Sequence, residues 1–136
     1  MKRMLLTTVA AGALLAVPAQ AGSGTSIIIS HQVRGCHGWS VNGGPSKARQ
    51  VVQIRRGSSI TFTNNDVMPH KLVKLSGPAA VIHKATMNHM SAVTTVRFTA
   101  AGTYKFKTKA GEDYKYMKHI PTKGKDSVLR LTVHVG

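Results

Sequence analysis

From Ser26 onward, apolar residues recur at alternate positions in short runs, each closed by glycine, proline, asparagine or serine. Alternation of period two puts successive side chains on opposite faces of an extended strand, so such runs fold as strands with one buried face. Ser58-Asn64 is the clearest case, with Ile60 and Phe62 inward and Ser59, Thr61 and Thr63 outward. In Val128-Val135, Leu129, Leu131, Val133 and Val135 share a face. The other runs are Ser26-Val33, Arg49-Ile54, His70-Leu75, Ala79-His83, Ala92-Thr99 and Thr103-Lys109. Arg34 to Ala48, rich in glycine and asparagine, reads as a long loop, and Glu112-Lys118 as a turn or two of helix. Short strands at this spacing predict an all-β sandwich or barrel.

The first residues stand apart from this pattern. Lys2 and Arg3 precede an apolar run from Met4 to Val17, followed by Pro18-Ala19-Gln20-Ala21. A basic head, an apolar stretch and an A-x-A site predict a secretory signal peptide over 1–21, and a single domain over 22–136 in the periplasm or outside the cell. The apolar run is too short for a membrane-spanning helix, which needs about 20 residues. Without Lys2 and Arg3 the chain carries 17 basic residues against 4 acidic ones. That imbalance favours an acidic redox partner protein or a polyanion, while no nucleic-acid-binding motif is present. The lysines Lys105, Lys107 and Lys109 alternate, as on the solvated face of a strand. One cysteine excludes an internal disulfide and any multi-cysteine zinc cage.

If the strands run up and down, the connections after the first, third, fifth and seventh runs share one end of the molecule. They hold Cys36 and His37, then His70, then His89 and Met90, then Met117 and His119, with Met68 and Met87 nearby. His31 and His83 close strands approaching the same end. The opposite turns, Arg55-Gly57, Ser76-Pro78 and Ala100-Gly102, contain no such residue. A thiol, imidazoles and thioethers at one pole make a copper-type donor set.

Three segments carry a resemblance. Val51 to Phe62 looks like the second and third strands of the cupredoxin superfamily, the small blue-copper proteins of plastocyanin, azurin and amicyanin type. The run Asn65-Asp66-Val67-Met68-Pro69-His70 is similar to the family's ligand loop ending in Met-Pro-His, which implies copper ligation for His70. Phe98 to Phe106 looks like the strand pair leading into the second ligand loop. The resemblance covers about Val51 to Val135 and implies a cupredoxin-like Greek-key β-sandwich of about 7-8 strands. It also has departures. Thr108 stands where the family places its copper-ligating cysteine, Lys109 to Asp113 replace the histidine region, and Lys71 replaces an asparagine. Either the site is rebuilt from other loops or the chain is a metal-free relative.

The expected metal ligands are Cys36, His37, His70, His89, Met90 and Met117, with Cys36 supplying the missing thiolate. His31 and His83 read as outer or surface histidines, His119 as an outside candidate, and His134 as solvated. Glu112 and Asp113 read as caps of a helical turn, and Trp39 as core packing. The leading function is electron transfer by an exported, monomeric protein holding one copper ion. Alternatives are a copper carrier or scavenger without redox traffic, a metal-free basic sandwich adhering to envelope polyanions, and, last, zinc binding through Cys36 and histidines. No Ser-His-Asp or paired-carboxylate arrangement suggests an enzyme.

Overall fold

The computed structural model describes residues 24–32, 36–109 and 129–136. The signal-peptide expectation over 1–21 and those for Glu112, Asp113, Met117 and His119 lie outside these residues. Ten strands form two five-stranded sheets. The first sheet has the order β2-β1-β4-β8-β6, built from Cys36–Val41, Thr25–Gln32, Ser59–Asn65, Val93–Arg97 and Val81–His83. The second has the order β3-β10-β9-β5-β7, from Arg49–Ile54, Arg130–Val135, Gly102–Lys109, His70–Ser76 and Thr86–Met87. No helix occurs among the described residues, and none there is long and apolar enough to cross a membrane.

The chain passes repeatedly from one sheet to the other, so two neighbouring pairs are parallel, β1 with β4 and β3 with β10, while the rest are antiparallel. The inward residues of the two sheets make one core. Ile27, Ile29, Ile60, Phe62 and Val96 face Leu72, Tyr104, Phe106, Leu131 and Val133, and all are almost completely buried. Phe62 and Phe106 span the two sheets at a ring separation of 6.3 Å, and Phe98 meets Tyr104 edge-on at 4.9 Å. Trp39 is fully buried, its indole N–H donating to the Ala48 carbonyl, so it packs the core as expected.

Eight of the ten strands fall on the runs read from the alternation. The other two do not. Cys36–Val41 lies inside the stretch read as a loop, yet it pairs with β1 from Ile27↔Val41 to Gln32↔Cys36. Gly38 conceals this strand in the sequence. A side chain there would collide with Ser46, so the glycine reports a close approach rather than a turn. Thr86–Met87 spans only two residues and exists because β5 offers its edge at His70 and Lys71. Strand counts of seven or eight are thus exceeded by one edge hairpin strand and one short edge pair.

Candidate metal centre

The register places the donor residues at one pole. β1 brings His31 opposite His37 of β2, and β4, parallel to β1, ends beside them at Asn65. The loop 66–69 then turns the chain into β5 at His70, whose cross-strand partner is Met87. The turn works because Asn64 organises it. Its side chain is fully buried, its amide donates to the carbonyls of Met68, Met87 and His89, and its Oδ1 accepts from the Asp66 N–H.

At the centre lies Asp66, the one carboxylate among the described residues and 2% exposed. Its Oδ2 is 2.5 Å from Nε2 of His37 and 3.0 Å from Nε2 of His70. Its Oδ1 accepts from the Met68 N–H. An ionised carboxylate only accepts, so His70, hydrogen-bonded to it through Nε2, holds its proton there and, when neutral, presents its lone pair at Nδ1, while His37 Nε2 stands in ion-pair range of the same oxygen. The His37 and His70 rings meet edge to face at 4.6 Å, and His31, exposed, meets the His37 ring at 5.5 Å. Donor atoms of His31, His37 and Asp66 all lie within 4.8 Å of one another.

The electrostatics follow from burial. Burial holds the His37 imidazole below its ordinary pKa of 6.5, with the neighbouring His70 adding to the effect and Asp66 opposing it. Burial likewise lowers His70 against the pull of Asp66. Burial alone would raise Asp66, but the His70 hydrogen bond, the Met68 N–H and the charge of the two histidines outweigh it and hold the carboxyl below the usual range. Two neutral imidazoles around one anion result. His70 Nδ1 is buried with no hydrogen-bond partner among the described residues, and so is the Thr108 hydroxyl. Thr108 is paired with Leu72, the next inward residue after His70 on β5. A buried nitrogen lone pair without a proton donor is costly unless something else occupies it. These residues therefore fit a metal ion.

Of the expected ligands, His37 and His70 are brought together. His89 is exposed and donates from Nδ1 to the Met90 carbonyl, apart from this cluster. Met90 is 49% exposed and lines a cleft of about 290 Å3 with His31, Asn65, Asp66, Val67 and Met68. Cys36 opens β2 opposite Gln32, and only its backbone is described. Met117 lies outside the described residues. Thr108, at the family's cysteine position, is 1% exposed and offers a hydroxyl instead of a thiolate. His83 sits on the edge strand opposite Thr95, and His134 is exposed and hydrogen-bonded to Thr103. Asp66 and Asn64 escaped the sequence reading. Their signal was present: an Asn-Asn-Asp run ahead of Met-Pro-His, holding an acidic residue four positions before His70 in a strongly basic chain.

The chain matches no protein-family model and no curated protein. It is similar to solved cupredoxin structures. One is an oxidized amicyanin mutant, at 18% identity and a TM-score of 0.46, covering 83% of this chain and 82% of that one. A reduced amicyanin mutant gives 17% and 0.47, covering 85% of each chain. A purple cupredoxin from Nitrosopumilus maritimus gives 18% and 0.48, covering 82% of this chain and 98% of its own. At these identities and scores the likeness carries no statement about what this chain binds.

Proposed function

We propose that this is an exported, cupredoxin-like copper-binding protein that carries electrons through a single copper ion. One observation supports the reading above the others: two buried imidazoles face Asp66 through Nε2, and His70 Nδ1 has no hydrogen-bond partner among the described residues. His37 and His70 would hold the metal, and Asp66 fixes the tautomer and orientation of both rings, as carboxylates do behind metal-binding histidines. Thr108 cannot supply the soft sulfur donor, so the proposal assigns that role to Cys36, the chain's one thiol, which requires the chain to turn where β2 opens, since successive residues of a strand face opposite sides. Copper, when bound, supplies a one-electron couple. The chain's contribution is rigidity, since His37 is fixed by the β1–β2 register and His70 follows the loop that Asn64 clamps. An acidic partner or polyanion is favoured because the described residues hold twelve cations against the single buried Asp66. The leader over 1–21 would direct the protein to the periplasm or beyond. Copper carriage without redox traffic is the second reading, favoured by the thioethers of Met68 and Met90 beside the cluster.

Titration of reduced, metal-free protein with Cu(II) tests this. The expected result is uptake of one copper with an intense visible thiolate-to-copper band that vanishes in Cys36→Ser and weakens or shifts in His70→Ala. Uptake without the band leaves the histidine site and removes the thiolate. Absence of tight uptake, with salt-sensitive binding to anionic polymers, would favour a metal-free adhesive protein.

A further inference from the structure

We propose that the cleft beside the buried histidines is a second, surface-facing site for a soft monovalent cation of the Cu(I) or Ag(I) class, formed by Met68, Met90 and His31. The inference rests on the copper reading above and gives the thioethers of Met68 and Met90 a site of their own, apart from the buried histidines. The cleft is lined by His31, Asn65, Asp66, Val67, Met68 and Met90, so two methionines and one histidine border a single space. Thioether sulfur selects d10 monovalent copper or silver over harder ions, and an imidazole adds a compatible nitrogen.

The two methionines come from different loops, and those loops are tied together. The Asn64 amide holds the carbonyls of Met68 and His89, the Ser91 N–H donates back to the Asn64 carbonyl, and Asp66 Oδ1 accepts from the Met68 N–H. Such fixed backbone holds the two methionine-bearing loops side by side, so that both side chains can reach one ion. Met90 is half-exposed and His31 exposed, so an incoming ion meets donors before it meets the core. Behind them the path continues by short steps. His31 is edge-on to His37, and His37 is edge-on to His70. Asp66 belongs to both places, lining the cleft and contacting both inner imidazoles. The arrangement suits capture of the ion at the surface ahead of its burial.

Ag(I), a redox-silent ion with the same donor preference, is the probe. Reduced, metal-free full-length chain is titrated with it while the methionine methyl resonances are followed by NMR. The Met68 and Met90 methyls are expected to shift together. In a Cys36→Ser background, which removes the competing thiol, the double variant Met68→Leu/Met90→Leu, which keeps side-chain volume and therefore the fold, is expected to bind Ag(I) at least tenfold more weakly than its parent in chelator competition. Unmoved Met68 and Met90 methyls, or equal affinity in the double variant, would overturn the site. Cu(II) uptake by the same preparation separates the two ideas. Methyl shifts without Cu(II) uptake leave the cleft site and remove the buried centre, whereas Cu(II) uptake without methyl shifts removes the cleft site alone.

Discussion

Asp66 is the residue on which the pole turns. A buried carboxylate is tolerated only when its charge is met by several donors, and here it has the His70 Nε2–H and one backbone N–H, with the His37 ring in ion-pair range. Removing it leaves those donors unmet in the interior. Hydrogen bonds to a charged group contribute about 1.5–3 kcal/mol each, so Asp66→Ala is expected to destabilise the metal-free protein by about 3 kcal/mol in chemical denaturation. A loss below about 0.5 kcal/mol, the level of an ordinary surface change, would show that the carboxylate holds neither ring. The pH dependence has a definite sign. His37 and His70 have folded pKa values below their unfolded value of 6.5, so the unfolded chain binds more protons as the solution is acidified. Their contribution is complete above 6.5 and is lost as pH falls through the folded values; Asp66, also lowered, extends the loss below its ordinary 3.8. Thermal melts of the metal-free protein from pH 8 to pH 4 should therefore show a falling midpoint, and the fall should be smaller in His70→Gln.

At the scale of elements, the end of β4 decides where the donors go. Asn64 is the last inward residue of that strand, and its amide reaches three carbonyls on two loops. Asn64→Ala would leave buried carbonyls without a donor, a cost of about 1–3 kcal/mol for such a group. The expected outcome is a comparable loss of stability together with weakened Cu(II) binding, because loop 66–69 is released from the loop carrying Met90. Unchanged copper affinity at reduced stability would mean that the loops keep their places without the clamp. The sequence made β4 itself legible, since Ile60 and Phe62 alternate with threonines. It did not make β2 legible. There the alternation of His37, Trp39 and Val41 is interrupted by Gly38, and nothing local distinguishes a glycine under Ser46 from a glycine in a loop. Thr108 is a similar case: its alternating run predicts an inward strand residue, but only packing shows its hydroxyl buried without a partner among the described residues.

Across the whole molecule, the outer face of the second sheet is cationic. Arg49, Arg130 and Lys107 stand in one cross-strand row, and Lys71 pairs with Lys109 in the next. Lys105 lies two residues along β9 on the same face. Charges on such a face, of which Arg49, Lys71 and Lys105 are exposed, act mainly through long-range attraction, which salt screens over about 8 Å at physiological ionic strength. A heparin column provides the measurement. The protein should elute at high salt, and Lys71→Gln/Lys105→Gln/Lys107→Gln should elute at clearly lower salt with copper uptake unchanged. Equal elution of the two would place the attraction elsewhere on the surface.

The alternation of residues determined that the chain forms strands and which faces they bury, because these follow from local geometry. Tertiary structure decided which donors touch. His31 meets His37 only through the β1–β2 register, Asp66 reaches two imidazoles only because loop 66–69 folds back under Asn64, and the lysines of β5 and β9 form a continuous face only once those strands pair. Contacts between residues distant in sequence depend on register and packing, and period-two alternation fixes a strand's faces but leaves its partner open.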